Sequence, residues 1–589
     1  MARKEPKKDV VIVGLGWTGA IMGMELAQEG LEILALERGA DRDTVPDFKY
    51  PNIADELKYG VRYDLMQRPS ASTLTIRRTL AETALPYRQL GSFLPGNGVG
   101  GAGSHWNGHT WRPQPEEMRL RSYTIERFGR RIIPEDMLLE DYPLTYEELE
   151  PYFDRFEHVA GISGQAGNLR GKIIPGGNPF EGPRSRDYPM PAMPQTYDAH
   201  LFAEAAKALG YHPFPRPGAI ASKAYVNEYG MQMGPCNFCG FCERFGCYNY
   251  SKGSPHVCIL DALKRKPNFS YKTHSEVLRV DLSADRKTAT GVTYFDHETG
   301  EEVFQPADLV LLCAYQLHNV HLLLVSGIGR PYDPATGEGA TGRGYAYQMN
   351  GGVSMFFKDK AFNPFIGTGS NGMVIDDFGI NQNDFARHGF IGGSYISTGT
   401  TNGQPIRSMP LPAGTPAWGL AWKQAIGQWY GHAMSIGSHG SCMSYRNCYL
   451  DLDPTYKDRF GRPMMRMTFN WNDNDIRMTQ YMRVKMEEIA KSMKPDIMQS
   501  GFKKKGAMYD VRPYQTTHNV GGNAMGVDPA KSVINRYLQA HDVHNVFVMG
   551  SGAFPQNLQY NPTGLVGGLA YWAAHALRTD YLRQPRSLV

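Results

Sequence analysis

Val10-Val11-Ile12-Val13-Gly14-Leu15-Gly16-Trp17-Thr18-Gly19-Ala20 is the stretch on which the fold turns. Its four consecutive β-branched residues read as a short buried strand, Gly14-x-Gly16-x-x-Gly19 as a turn, and Ala20 to Gly30, with Met22, Met24, Leu26 and Ala27, as a helix. A second strand, Leu31 to Leu36, runs into Glu37-Arg38-Gly39. The spacing has a mechanism. Glycines let the backbone approach a pyrophosphate at a helix N-terminus, and an acid about 20 residues further on accepts the ribose hydroxyls. Glu37 lies 18 residues past Gly19, where that acid belongs. The pattern predicts a dinucleotide site using Gly14, Gly16, Gly19, Glu37 and Arg38, in a chain of α/β class.

Composition narrows the classes open to the remainder. At 589 residues the chain is long enough for about four ordinary domains or fewer large ones. With 41% apolar and 20% charged residues, 65 Gly, 33 Tyr and 26 Phe, it is globular and rich in turns, not disordered. Lys and Arg (62) nearly balance Asp and Glu (58), which excludes binding of nucleic acid by phosphate neutralisation. No run of about 18 apolar residues offers a membrane-spanning helix, so membrane attachment is expected only through partners. Arg3, Lys4, Lys7 and Lys8 before the apolar run mimic a secretory leader, but Gly14 and Gly16 break the run and no small-x-small cleavage site follows cleanly.

NAD and FAD share the opening fingerprint, and a second segment bears on the choice between them. Residues 96–112 place Gly96, Gly98, Gly100, Gly101 and Gly103 among eight positions, followed by Ser104-His105-Trp106-Asn107 and then Trp111-Arg112. Such glycines suit a backbone lying flat against a planar ligand or its phosphates. The bulky aromatics that follow belong to a packed site, not to a flexible linker.

These two segments and the C-terminal stretch together resemble the glucose-methanol-choline family of FAD oxidoreductases, across nearly the whole chain. The resemblance implies FAD, carried covalently on His105 in the Gly-Gly-x-x-x-His-Trp segment, with Gly98, Gly100, Gly101, Trp106 and Asn107 around it. It reads Glu276–Val280 with Gly291–Tyr294 as a hairpin holding the adenine end through Val277, and 307–314 followed by 321–327 as a strand and helix in which Tyr315 replaces the Gly of many relatives. Asn545–Pro555, with Gly550 and Ser551, resembles the strand and turn under the flavin; Gly550 stands where many relatives have Asp, so no phosphate-site acid is carried over. Asn561-Pro562-Thr563-Gly564 opens an apolar helix through Leu577, whose N-terminus at Thr563 would favour anionic charge on the flavin. His518, in His-Asn-Val-Gly-Gly, and Asn561 match the family's active-site pair. An alcohol O–H is far too weak an acid for imidazole, of pKa about 6.5, to deprotonate fully. Proton removal by His518 is therefore expected to accompany hydride departure, with Asn561 orienting the oxygen.

Cys236-Asn237-Phe238-Cys239-Gly240-Phe241-Cys242-Glu243-Arg244-Phe245-Gly246-Cys247 is the most discriminating feature. The C-x2-C-x2-C-x4-C spacing approaches the bacterial ferredoxin run, departing in the last interval and in Tyr248 after the last Cys. Gly240 and Gly246 are expected to make the tight turns that bring the sulfurs inward. Three thiolates would suit a [3Fe–4S] centre, the fourth being spare or completing [4Fe–4S]; tetrathiolate zinc and disulfides are the alternatives. Cys258 and Cys313 read as core residues.

Flavin dehydrogenases of glucose, fructose and gluconate within the family carry an iron–sulfur centre, and the chain is most similar to that group. The resemblance implies oxidation of a sugar acid at a secondary alcohol, D-gluconate to 2-dehydro-D-gluconate foremost, with electrons leaving through the cluster to a cytochrome c subunit. It also implies a small signal-bearing subunit and a place on the periplasmic face of the inner membrane. Alternatives are a neutral sugar or polyol substrate, a soluble oxidase with structural zinc, and a non-catalytic electron-transfer subunit. A substrate anion calls for a cation, for which Arg112 and Lys423 are two of many candidates.

The expected organisation is a discontinuous, Rossmann-like FAD-binding domain with a second, sheet-based substrate domain. Residues 1–115 form its first part, 116–250 an insertion with the Cys loop, 251–345 its second part, 346–505 the substrate domain, and 506–589 the catalytic C-terminal part. Within the fourth segment, Gly392–Gly403 reads as a loop, and the strand-like Met464–Phe469 is expected in a sheet closing over the flavin.

Overall fold

The computed structural model describes residues 2–48, 65–364, 366–398 and 410–589. Three distant parts of the chain build one eight-stranded sheet. Phe269–Lys272, Ile33–Leu36, Lys8–Val13 and the far half of Glu301–Leu312 run parallel, and Val546–Val548 adds parallel on the other side of that last strand. The long strand Glu301–Leu312 serves two neighbourhoods: residues 301–306 pair antiparallel with Ala289–Asp296, and 307–312 pair parallel with Lys8–Val13. Ser275–Leu282 completes the antiparallel meander. Arg3–Lys4 pairs with Val303 and Phe304, so the basic N-terminal residues lie in the sheet.

The helix after the first strand spans Trp17–Leu26, three residues earlier than the pattern suggested, and tightens into a 3-10 turn over Ala27–Glu29 before Gly30 ends it at φ +75°. The early start follows from Gly19, which allows the first turn to sit against Gly14; a Cβ at Gly19 would lie 2.1 Å from the Gly14 carbonyl oxygen. Every residue of this helix is buried. The helices Tyr146–Ala160 and Thr563–Ala576 pack together through Gly567 and Gly568, which lie under the rings of Phe156 and Phe153. Cβ atoms there would come within 2.5 Å of those rings.

A second, antiparallel sheet of six strands runs in the order Phe214–Pro215, Met373–Ile375, Ser394–Thr398, Ala433–Gly440, Met349–Phe356, Ile497–Gly501. The helix Asp473–Ser492 packs on it. Pro463–Thr468 is a strand, as its sequence suggested, but it belongs to neither large sheet. It pairs with Tyr449–Lys457 and Thr75–Arg77, and Leu85–Pro86 completes this four-stranded sheet. Of the Gly392–Gly403 loop, 394–398 is strand and 399–403 lies outside the described residues. No helix among the described residues is long and apolar enough to cross a membrane.

Candidate active site

A cavity of about 340 Å³ opens at the ends of the parallel strands. Gly14 and Gly16 line it. Gly14 holds φ +93°, and a side chain at Gly16 would meet nothing closer than 3.9 Å on the protein side, leaving that face to a ligand. Gly19 does not line the cavity; its part is the close packing already described. Glu37 Oε2 accepts from Leu15 N at 3.1 Å and Oε1 from Gly39 N at 2.9 Å, so the buried carboxylate closes the turn while keeping lone pairs for a ribose. Arg38 and Val277 line the same end. Burial lowers the Arg38 pKa, and the neighbouring Glu276 and Glu37 carboxylates oppose that shift.

Gly101, His105, Trp106 and Asn107 form the next stretch of wall. Gly98 and Gly100, expected there too, stand behind it: they hold φ +115° and +88°, and side chains on them would strike Ala40 and His256. The His105 ring is buried and its Nε2 has no hydrogen-bond partner. Burial, helped by the Lys252 charge, lowers its pKa to about 3, so the imidazole is neutral. An unpartnered nitrogen in a cavity wall fits a histidine meant to meet a flavin. Gly550, Ser551 and Thr563 line the far side, where the helix Thr563–Ala576 presents its N-terminus.

His518 and Asn561 meet at the remaining wall, where Asn561 Nδ2 donates to His518 Nε2 at 3.2 Å. The amide orientation follows from two donors on its other side: Trp111 Nε1 and the Tyr395 hydroxyl both donate to Asn561 Oδ1, each at 3.0 Å. His518 Nδ1 bonds Gln348 Oε1. Burial, reinforced by His439, lowers the His518 pKa to about 3. The site therefore offers a neutral base with an adjacent amide donor, the pair needed to remove a hydroxyl proton while holding its oxygen.

Residues 144–343 and 444–570 match the N- and C-terminal parts of GMC oxidoreductases. The chain is also 51% identical, over 593 residues covering 100% of this chain and 96% of the other, to the gluconate 2-dehydrogenase flavoprotein of Pantoea cypripedii. This chain belongs to the GMC oxidoreductase family.

It is thereby an FAD-dependent dehydrogenase of this family. It is 25% identical to the fructose dehydrogenase large subunit of Gluconobacter japonicus, over 98% of this chain and 99% of that one. Among solved structures, a formate oxidase from Aspergillus oryzae superposes with a TM-score of 0.60 at 15% identity, over 99% of both chains. The GMC fold accounts for the discontinuous sheet and for the wall that its last helix supplies.

The Cys loop of this GMC chain abuts the cavity without its thiols lining it. Glu243 and Arg244, inside the loop, do line it, and Arg244 N donates to the His105 carbonyl at 2.6 Å. Phe238, Gly240 and Arg244 are left-handed, at φ +57°, +80° and +67°. Gly246, expected to turn the chain, has no such φ; it is glycine because the Phe48 ring occupies the space of a side chain, 2.1 Å from where a Cβ would lie. No disulfide joins any of the eight cysteines, which goes against the disulfide alternative. Phe238 N donates to Cys236 Sγ at 3.4 Å, and burial raises the Cys236 pKa to about 12. Among the described residues no three His, Cys, Asp or Glu side chains are gathered closely enough to hold a metal ion, so Cys236, Cys239, Cys242 and Cys247 do not form a ready-made single-ion site.

Two of the many candidate cations for a substrate anion lie elsewhere. Arg112 is not a substrate cation: it is buried, held in a two-pronged contact by Glu157 at 3.0 and 2.7 Å and by Glu150 at 2.7 Å, and lies off the cavity. Lys423 lies on the exposed face of helix Leu420–Trp429, also off the cavity. The arginines that do line the cavity are Arg38, Arg244 and Arg462. Gln348, Tyr395 and His439 carry no local motif and were not singled out from the sequence; the six-stranded sheet brings them to His518. Only their residue types, polar or aromatic in strand-like contexts, could have flagged them.

Proposed function

We propose that this chain is the flavin-bearing subunit of a dehydrogenase that oxidises a sugar acid at a secondary alcohol, D-gluconate to 2-dehydro-D-gluconate first among candidates. The observation that carries the substrate class is the 51% identity along the whole chain to a gluconate 2-dehydrogenase flavoprotein. FAD, when bound, supplies the acceptor for the hydride that leaves the alcohol carbon. Gly14, Gly16, Glu37, Arg38 and Val277 would hold its dinucleotide part, and His105 Nε2 would carry the covalent link. The protein's own work is done at the hydroxyl. His518 Nε2 takes the proton as the carbon loses its hydride, and the carbonyl forms between carbon and oxygen. Asn561 Nδ2 donates to that oxygen and keeps it beside the base.

The Cys loop, in this proposal, carries a [3Fe–4S] cluster on three of Cys236, Cys239, Cys242 and Cys247 and relays electrons to a cytochrome c subunit. The C-x2-C-x2-C-x4-C spacing, close to the bacterial ferredoxin run, favours a cluster over zinc. The N–H directed at Cys236 Sγ suits a cluster thiolate. The loop also adjoins the cavity wall at His105. A small signal-bearing subunit and the periplasmic face of the inner membrane complete the proposal, membrane contact coming through the partners.

The test is an anaerobic sample examined by absorbance, EPR and metal analysis before and after gluconate. Flavin bleaching by gluconate, an oxidised-cluster EPR signal and about three irons per flavin are expected. Zinc without iron, together with peroxide formation in air, would refute the relay. Bleaching by fructose or sorbitol in preference to gluconate would move the substrate to a neutral sugar, the activity named for the 25% identical fructose dehydrogenase subunit.

A further inference from the structure

We infer that Gln348 is a positioning residue that sets the tautomers of His518 and His439 together, so that both rings turn an unprotonated Nε2 to the substrate cavity. The inference rests on the proposed role of His518 as base and says what makes that role possible.

The hydrogen bonds around Gln348 admit one consistent assignment. Its buried Nε2 faces three backbone carbonyls, those of Leu558 at 3.4 Å and of Gln559 and Tyr560 at 3.2 Å. Carbonyls only accept, so the amide nitrogen must point at them and Oε1 must point the other way. There Oε1 receives His518 Nδ1, and His439 Nδ1 at 3.1 Å. An amide oxygen only accepts, so both histidines carry their proton on Nδ1. Neutral imidazole has one proton, which leaves each Nε2 with its lone pair.

The far side of His518 gives the same answer independently. Trp111 Nε1 can only donate, so the Asn561 oxygen faces it and the Asn561 nitrogen faces His518 Nε2, which must then be the acceptor. His439 lines the cavity and its hydrogen bond runs through Nδ1, which leaves the Nε2 lone pair for a second hydroxyl of the substrate. The element that does this is the six-stranded sheet: Gln348 directly precedes strand Met349–Phe356, and His439 pairs across it with Asn350 and across the next strand with Tyr395. The titratable and charged groups facing His518 are His439, then His109 and, behind it, Arg216, whose Nη1 lies 3.3 Å from His109 Nε2. None is a carboxylate, so Gln348 orients the ring without charging it.

Three variants of the holoenzyme test this. Gln348→Leu removes the acceptor; kcat is expected to fall about 10²-fold or more, the range lost with general-base catalysis, while flavin absorbance and KM change little. Gln348→Glu is nearly isosteric and keeps an acceptor for both Nδ1–H groups, while its second oxygen fits against the three carbonyls only as an O–H donor, so the side chain is a neutral carboxyl there. It should keep most of the rate with the acid limb of kcat/KM unshifted, a rescue that depends on the acceptor and not on filled space. Wild-type kcat in Gln348→Leu, or a loss in Gln348→Glu as deep as that in Gln348→Leu, would overturn the proposal while leaving the base in place. His518→Gln, run beside them, separates the two ideas: wild-type turnover in that variant would overturn the base reading and the proposal with it. A readout free of activity is available in protein labelled with 15N-histidine, where two-bond correlations should show His518 and His439 protonated on Nδ1. An Nε2-protonated pattern for either would refute the assignment.

Discussion

His518 is held neutral in the folded chain, with burial lowering its pKa to about 3. As a base it must be unprotonated, so its acid limb in kcat/KM is expected below pH 5, with no loss between pH 5 and 8 attributable to this group. A pH–rate profile that falls with a midpoint near 6.5, the ordinary histidine value, would contradict this. Replacing His518 by Asn, which cannot take the proton, should lower kcat by about 10²–10⁴-fold with the flavin spectrum retained. His105 makes a different demand. If its free Nε2 carries the flavin, acid-precipitated protein should keep flavin fluorescence, and His105→Ala should release it to the supernatant.

The turn between the first strand and helix tolerates no side chain at Gly19, because the obstacle is the Gly14 carbonyl 2.1 Å from the added Cβ, backbone that cannot swing aside. Gly19→Ala should therefore destabilise the protein by about 1–3 kcal/mol and weaken flavin retention, read as Tm and as the flavin-to-protein absorbance ratio. The Cys loop is fastened in another way. Lys252, buried, donates from Nζ to the carbonyls of Trp106 at 2.7 Å, Cys242 at 2.8 Å and Phe245 at 2.6 Å, tying the loop to the segment that carries His105. Lys252→Met fills the space but strands three buried acceptors at about 1–3 kcal/mol each. Hydrogen exchange across 236–247 should rise by at least about tenfold for every 1.4 kcal/mol of local stability lost. Unchanged exchange there would show that the loop is held by something else.

Across the whole molecule, buried histidines couple folding to pH. His439 and His518 have folded pKa values lowered to about 4 and about 3, against about 6.5 unfolded. A group with a depressed folded pKa contributes stability above its unfolded value and loses it as pH falls through the folded one. Each should cost up to about 1.4 kcal/mol per pH unit as the pH drops from about 6.5 toward 4. The Tm of the purified protein should decline over that window, and replacing His439 by Gln should make the decline shallower. The two sheets divide the labour. The eight-stranded sheet, built from residues before 40, between 269 and 312, and near 547, positions the glycine turn, while the six-stranded sheet delivers His439 to the cavity wall with Gln348 and Tyr395 against it.

The nucleotide-binding part was legible in the sequence because its requirements are local. A glycine turn, a buried strand and an acid at fixed separation all lie within 40 residues, and their steric reasons act between near neighbours in the chain. The family's segments likewise located His105, His518 and Asn561, which the fold brings to one cavity. Local reading failed where a partner is remote. Gly246 looked like a turn residue, yet it answers to Phe48, and Arg112, one of many cations the sequence left open for a substrate, is closed on by Glu150 and Glu157. Pro463–Thr468 has the composition of a strand whichever sheet it joins, since alternation specifies a strand's faces but not its neighbour. The orientation of the base could come only from tertiary structure. A hydrogen-bond network assigns protons through the directions of its donors and acceptors, and Gln348, His439, His518 and Asn561 are brought within bonding distance only when the second sheet closes on the C-terminal segment.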